Sequence, residues 1–370
     1  HEGARAMANR RLDPADLLPD PEPVQLLDPD GNLRAHPDLP LDLSDDLLRD
    51  LYRWMVVTRA VDQEAINLQR QGQLAVYASC LGQEAAQVGS AAAIGPDDWV
   101  FPSYRELGAA TARDVDLVGL MHMFRGTWLS DHDPVEQRFG LMAIPIGTQV
   151  LHAVGYAMGT RLDGQSTVTV VYCGDGATSE GDTHEALTFA GVFEAPVVFL
   201  VQNNQYAISV PFDRQTAAPS LAHKAVGYGI PGVQCDGNDV LASYLVTRRA
   251  VERARAGGGP TFIEALTYRR EAHTTSDDAR RYRSDEEVAG AAARDPIARM
   301  AVFLRGRGLL DDDLQADVDH EAVQRARAIR DAVFDADHGD PMELFDHVYV
   351  DATGHLDGQA ERLRRELDGA

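Results

Sequence analysis

The sequence predicts an α/β protein built on a doubly wound parallel sheet, and three observations carry that expectation. Short runs rich in β-branched residues, at 167–173, 196–202 and 261–268, read as strands covered on both faces. Between them, about 182–193 and 240–256, apolar residues return at helical spacing. Strand and helix in alternation build parallel sheets with right-handed crossovers. The chain has 370 residues, 44% hydrophobic and 25% charged, which suits a large buried core and excludes disorder as its main state.

From the N-terminus, residues 1–43 contain Pro14, Pro19, Pro21, Pro23, Pro29, Pro37 and Pro40, too many for regular helices, and read as an arm laid over another surface. His1 to Ala6 precede the first methionine, Met7, and stand outside the fold expectation. Ser44 is an N-cap candidate, with Asp45 and Asp46 in the first turn and Leu47, Leu51 and Met55 at helical spacing. An Ala-rich helix is expected over 83–94, stopped by Gly95-Pro96. After the strands, the chain from about Pro296 reads as helical and charged. The expected division is an arm at 1–43, an α/β core at 44–290 and a helical region at 291–370, without internal repeats.

Composition narrows the function classes. Lys+Arg at 34 against Asp+Glu at 58 gives a net charge of −24, a sign that repels nucleic acid and anionic membranes. Cys80, Cys173 and Cys235 are too far apart for a disulfide framework or a paired zinc site and suit a reducing compartment. No apolar run approaches the roughly 20 residues that cross a bilayer, so the expected location is cytoplasmic.

In an open parallel sheet, ligands bind beyond the C-terminal strand ends. There the first predicted strand carries Gly174-Asp175-Gly176 and the second carries Asn203-Asn204. A carboxylate and carboxamides are the hard oxygen ligands that Mg²⁺ takes, and glycines let backbone approach an anion. A helix following Gly176 would aim free N–H groups at the same place. Taken singly, Gly-Asp-Gly is a turn and Asn-Asn a loop. At two neighbouring strand ends, with one helix between them, they point to a magnesium diphosphate.

These residues resemble the signature of thiamine diphosphate enzymes. The runs GDGATSEGD at 174–182, APVVF at 195–199, QNNQYAIS at 202–209, YRE at 104–106, RQG at 70–72 and HTTSDD at 273–278 are similar to the alpha subunit of the decarboxylating component of 2-oxo acid dehydrogenase complexes. The resemblance runs from about Val24 to the C-terminal helices. It implies that Asp175, Asn204 and the backbone carbonyl of Tyr206 ligate Mg²⁺. Gly176 and Ala177 would offer N–H groups to the diphosphate, Tyr104 and Arg105 would reach it from another loop, and Ile144 and Ile146 would touch the aminopyrimidine. Bidentate phosphate contact suits an arginine such as Arg105. His273 resembles the family's active-site histidine, beside the entrance for the lipoyl group.

Departures from the family pattern stand beside the matches. Several relatives have arginine and glycine where this chain has Gln202 and Gln205, which puts one diphosphate contact in doubt. Ala143 replaces a serine of a monovalent-cation loop to which Thr148 and Gln149 conform, so the pattern leaves potassium binding undecided. Thr274 replaces the regulatory phosphoserine of mitochondrial relatives, which weighs against kinase control. This enzyme class also needs a glutamate from a second α/β module to activate the thiazolium ring. The sequence has room for one module, so that glutamate should come from a beta subunit, in an assembly of two alpha and two beta chains. Glycine- and alanine-rich stretches at 89–93 and 147–159 suit close helix packing, in the core or against such a partner.

Two other readings compete. Gly227-Tyr228-Gly229-Ile230-Pro231-Gly232 fits the dinucleotide fingerprint, but Pro231 blocks helix entry and a strand is expected after it. His184-Glu185 lacks the second histidine of a metalloprotease, Thr188 standing in its place. A scaffolding subunit that lost its chemistry is opposed by the presence of Asp175, Asn204, Tyr104, Arg105 and His273. The expected function is therefore that of a 2-oxo acid dehydrogenase alpha subunit using thiamine diphosphate and Mg²⁺, passing the acyl group to a lipoyl arm on an acyltransferase core. The segments 275–278 and 70–72 lean toward branched-chain 2-oxo acids of the 2-oxoisovalerate type, with pyruvate as the alternative substrate.

Overall fold

The computed structural model describes residues 12–126, 132–142, 144–335, 340–346 and 348–369; His1 to Ala6, Met7 and Ala143 lie outside these. Five parallel strands form the main sheet in the order β1-β2-β3-β7-β6: β1 Trp99–Phe101, β2 Thr169–Gly174, β3 Val197–Asn203, β6 Gly232–Asp236 and β7 Thr261–Leu266. A small antiparallel ribbon, β4 Tyr206–Ala207 with β5 Val210–Pro211, follows β3.

Alternate residues along the central strands enter two different cores, as a doubly wound sheet requires. Val170 and Tyr172 of β2, Val198 and Leu200 of β3 and Ile263 of β7 face the helices Asp45–Arg70, Glu84–Ala92 and Val240–Arg253. Val171, Cys173, Phe199, Val201 and Phe262 face the helices Thr148–Leu162, Gly181–Val192 and Ala222–Val226. The three cysteines are buried and unpaired. Among the described residues no helix is long and apolar enough to cross a membrane.

The long helix Asp45–Arg70 starts where expected: Ser44 Oγ accepts from Leu47 N–H at 3.2 Å. Its Leu48, Leu51 and Met55 enter the sheet core, while Val61, Ala65 and Leu68 pack with Ala322, Ile329 and Val333 of the helix Asp312–Asp335. The arm is bound along the sheet edge. Val24 accepts from Asp236 N–H at 2.9 Å and donates to the Gln234 carbonyl at 2.8 Å, and the fully buried Leu26 and Leu27 follow. Burying two leucines stabilises that contact by about 1.5–3 kcal/mol each.

Three local expectations are corrected. The proline-rich arm includes one helical turn, Pro14–Leu17, with proline at its start where a missing N–H costs nothing. The helix expected over 240–256 is α-helical only to Arg253. Its last turn widens into a π-turn, Ala254–Gly258, because Gly257 takes a left-handed conformation at φ 80°. Between Gly174 and the next α-helix lies a tight 3-10 turn, Asp175–Ser179, so the helix begins at Gly181 rather than beside Gly176. The glycine-rich run at 227–232 follows the helix Ala222–Val226 and leads into β6, the reverse of the dinucleotide arrangement.

Candidate functional site at the strand ends

A cavity opens beyond the ends of β2 and β3. Asp175, 1% exposed, follows directly from β2, and its Oδ2 accepts from Gln215 Nε2 at 2.5 Å. The two asparagines diverge in role. Asn203 turns into the sheet, donating to Glu264 Oε1 at 2.7 Å. Asn204 turns to the cavity, with Nδ2 donating to Gln83 Oε1 at 3.2 Å and Oδ1 accepting from Tyr206 N–H at 3.3 Å. The loop after β3 presses on the turn after β2: a Cβ added at Gly176 would sit 2.8 Å from the Ala207 Cβ, so only glycine fits there.

Arg105, on the loop after β1, is 6% exposed. Its Nη1 donates to the Ser79 carbonyl at 2.5 Å and its Nη2 to the His273 carbonyl at 2.8 Å. The same Nη2 lies 3.3 Å from His273 Nδ1, and the Tyr104 ring stands edge-on to the imidazole. Guanidinium only donates, so Nδ1 is the acceptor and the imidazole proton is assigned to Nε2. Burial, with Arg105 and then Arg269 adding positive charge nearby, pushes the His273 pKa down to about 4. The ring is therefore neutral at pH 7. Burial pushes the Asp175 carboxyl up, opposed first by the Gln215 hydrogen bond.

Tyr104, Arg105, Ile146, Asp175, Gly176, Ala177, Asn204, Tyr206 and His273 all line this one cavity. Ile144 does not: it stands 57% exposed outside the wall, and only Ile146 of the pair reaches inward. A larger, more open groove of about 1170 Å³ lies beyond β6 and β7 and shares Tyr206 with it. Asp175, Asn204, Arg105 and His273 line the smaller cavity and not this groove.

Sequence reasoning missed several cavity residues. Arg269 donates from Nη1 to the Tyr206 carbonyl at 3.0 Å and from Nη2 to the Ile208 carbonyl at 2.7 Å. It holds a loop in which Gln205 and Ile208 both take left-handed conformations, at φ 76° and 54°. The available signal was its position just past the third predicted strand. Among the described residues neither Arg105 nor Arg269 forms an ion pair with a carboxylate, although Glu106, Asp175 and Glu180 line the same cavity. Gln83 Nε2, Gln149 Oε1 and Gln215 Oε1 are buried there or beside it without a partner; Gln149 was noted only for its place in a cation-loop pattern, and nothing in the local sequence marks the other two. Gln202 is spent internally: it donates to Glu106 Oε1 at 2.8 Å and accepts from Gln87 Nε2 at 2.9 Å.

Parallel strand ends that bring a carboxylate, a carboxamide and two guanidinium groups into one cavity define an α/β subunit with a polar ligand-sized cavity. Residues 52–342 match the dehydrogenase E1 component family, and the chain belongs to that family. It is 53% identical over 348 residues to the 3-methyl-2-oxobutanoate dehydrogenase subunit alpha of Mycobacterium tuberculosis, covering 94% of this chain and 95% of the relative. It is 40% identical over 345 residues to the pyruvate dehydrogenase E1 component subunit alpha of Staphylococcus epidermidis and that of Staphylococcus aureus, covering 92% of each chain. The chain is thus an alpha subunit of a 2-oxo acid dehydrogenase.

Proposed function

We propose that the cavity holds thiamine diphosphate with Mg²⁺, and that the chain, joined to a beta subunit, oxidatively decarboxylates a branched-chain 2-oxo acid of the 2-oxoisovalerate type. The acyl group would pass to a lipoyl arm on an acyltransferase core. The observation that carries this reading is the convergence of Asp175, Asn204 and the Tyr206 carbonyl with Arg105 and His273 in one cavity.

The donor set fits. Among the described residues there is no cluster of three or more His, Cys, Asp or Glu for a metal. Mg²⁺ does not need one, since it binds through one or two carboxylates together with phosphate oxygens and water. Asp175 Oδ1, Asn204 Oδ1 and the Tyr206 carbonyl each retain a lone pair beyond the hydrogen bonds they already accept. The Gly176–Ala207 contact admits no side chain at position 176, so the Gly176 N–H would be unscreened by a side chain of its own. The unpartnered Gln83 Nε2 is a buried donor awaiting an acceptor.

When bound, thiamine diphosphate supplies the carbon nucleophile and the electron sink for loss of carbon dioxide. Arg105 and Tyr104 would hold the diphosphate, with N–H groups of Gly176 and Ala177 opposite. Neutral His273 keeps its proton on Nε2, so it donates a hydrogen bond at the cavity mouth without bringing charge. Ile146 and the half-exposed Ile208 give that mouth an apolar wall. The described residues contain one five-stranded parallel sheet, which leaves the ring-activating glutamate to the beta subunit.

The branched-chain assignment follows the higher likeness to the 3-methyl-2-oxobutanoate enzyme, 53% against 40%. The test is to purify the chain with its beta partner and compare initial rates on 2-oxoisovalerate, 2-oxobutyrate and pyruvate with an artificial electron acceptor. The branched substrate should be fastest. Preference for pyruvate overturns the substrate assignment and leaves the cofactor site standing.

A further inference from the structure

Asp62 lies in the middle of the helix Asp45–Arg70, 2% exposed, far from any role assigned above. Its Oδ1 accepts from Tyr77 Oη–H and from Cys80 N–H, both at 2.8 Å, and its Oδ2 accepts from Ser79 Oγ–H at 2.6 Å. All three donors come from one four-residue segment, and no cation pairs with the carboxylate among the described residues. An isolated buried carboxylate is costly unless hydrogen-bonded, so this acid is held by that segment and holds it in return.

The same segment bears on the cavity twice. The Ser79 carbonyl accepts from Arg105 Nη1. Tyr77 pairs with the loop that carries His273: Thr275 N–H donates to the Tyr77 carbonyl at 3.0 Å, and Tyr77 N–H donates to Thr275 Oγ1 at 3.1 Å. Arg105 in turn donates to the His273 carbonyl, which closes the circuit. We propose that Asp62 is a positioning residue, fastening segment 77–80 so that it aims Arg105 and anchors the His273 loop over the cavity. The inference rests on the reading of that cavity as a diphosphate site.

The test uses the assembled alpha–beta protein with Asp62→Asn, which keeps the shape but replaces one acceptor oxygen by a donor. Without cofactor, amide hydrogen exchange over 77–80 and 271–278 should accelerate together by about tenfold or more. With Mg²⁺ present, the Kd for thiamine diphosphate should rise by about tenfold or more, the scale of a lost hydrogen bond to a charged group. In a double-mutant cycle with Arg105→Lys, the combined loss should fall well short of the product of the single losses. Val57→Ala, a core truncation in the same helix, should leave exchange over 271–278 unchanged. Ser79→Ala removes one of the three donors and should act in the same direction, more weakly, and it decides the question if Asp62→Asn fails to assemble. Unchanged exchange over 271–278, or multiplicative losses in the cycle, would make Asp62 a core residue and overturn the proposal. Failure of the unmodified protein to bind thiamine diphosphate would instead sink the cavity reading, while the exchange result would still stand.

Discussion

The ends of β2 and β6 carry the same local chemistry and opposite outcomes. Each strand leads into a glycine-containing turn with a buried aspartate, Asp175 after β2 and Asp239 after β6. Asp239 is saturated by backbone. Its Oδ2 accepts from the N–H groups of Leu26 and Leu27, both at 2.6 Å, and its Oδ1 accepts from Leu241 and Ala242 at 2.9 and 3.1 Å. It thereby caps the helix Val240–Arg253 and ties down the arm. Asp175 has one side-chain donor and faces the cavity. A buried carboxylate whose lone pairs are all answered by backbone is architecture, whereas one left partly unanswered beside a cavity keeps acceptor capacity for something else.

The comparison breaks most readily at Asp239. Asp239→Ala removes a cap and strands two arm N–H groups, so unfolding in denaturant should show a loss of about 3–5 kcal/mol. The fraction that remains folded should bind thiamine diphosphate as before. Binding lost without a matching loss of stability would mean the β6 end serves the site. Asp175→Asn should do the reverse. Calorimetric titration should find Mg²⁺-dependent thiamine diphosphate binding weakened more than about a hundredfold, roughly 2.7 kcal/mol. Unfolding stability should stay within about 1 kcal/mol, because burial already disfavours the charged form of this carboxyl.

His273 extends the contrast to pH. Its pKa in the fold is about 4, below the ordinary 6.5, so between these values the unfolded chain binds a proton that the folded chain does not. Stability then rises with pH across that window, is at its full value above about 6.5, and is lost as pH falls toward 4. The difference between the unmodified protein and His273→Gln isolates this group from the carboxylates. It should amount to at most about 2 kcal/mol after allowance for partial solvent screening. A flat difference profile would show that the imidazole is not held neutral by its burial and its cationic neighbours.

How much of this was legible in the sequence follows from how far each contact reaches along the chain. The runs at 167–173, 196–202 and 261–268 announced β2, β3 and β7 because strands covered on both faces need continuous apolar residues. Their ends were misjudged by one or two residues, since a strand ends where ladder pairing ends, as at Gly174 with Gln202 and at Asn203 with Leu266, rather than where the apolar run ends. β1, three residues long, gave no periodicity to read. Asp175 and Asn204 were legible because strand-end position and ligand chemistry coincide in them. Arg269, Gln215 and Asp62 were not. Arg269 meets Tyr206 across 63 residues, Gln215 meets Asp175 across 40, and Asp62 works through a segment in contact with two other loops.

Strain separates the β6 end from the cavity side as well. Among the described residues, no non-glycine residue from Asp236 to Asp239 takes a positive φ, whereas Gln205 and Ile208 beyond β3 both do. A left-handed conformation costs a non-glycine residue roughly 1–2 kcal/mol, and strain of this kind gathers at functional sites. At Gln205 the side chain recovers part of that cost by donating to the Asn203 carbonyl at 3.3 Å and to Asn203 Oδ1 at 3.2 Å. Gln205→Gly, the residue several relatives carry, would release the strain but forfeit those bonds and loosen the unfolded chain. The expected net is a gain of about 0.5 kcal/mol in denaturant unfolding, with thiamine diphosphate affinity unchanged, because Arg269 still clasps the loop through Tyr206 and Ile208. A loss greater than about 1 kcal/mol would show that the Gln205–Asn203 bonds, rather than the Arg269 clasp, hold the loop after β3 in place.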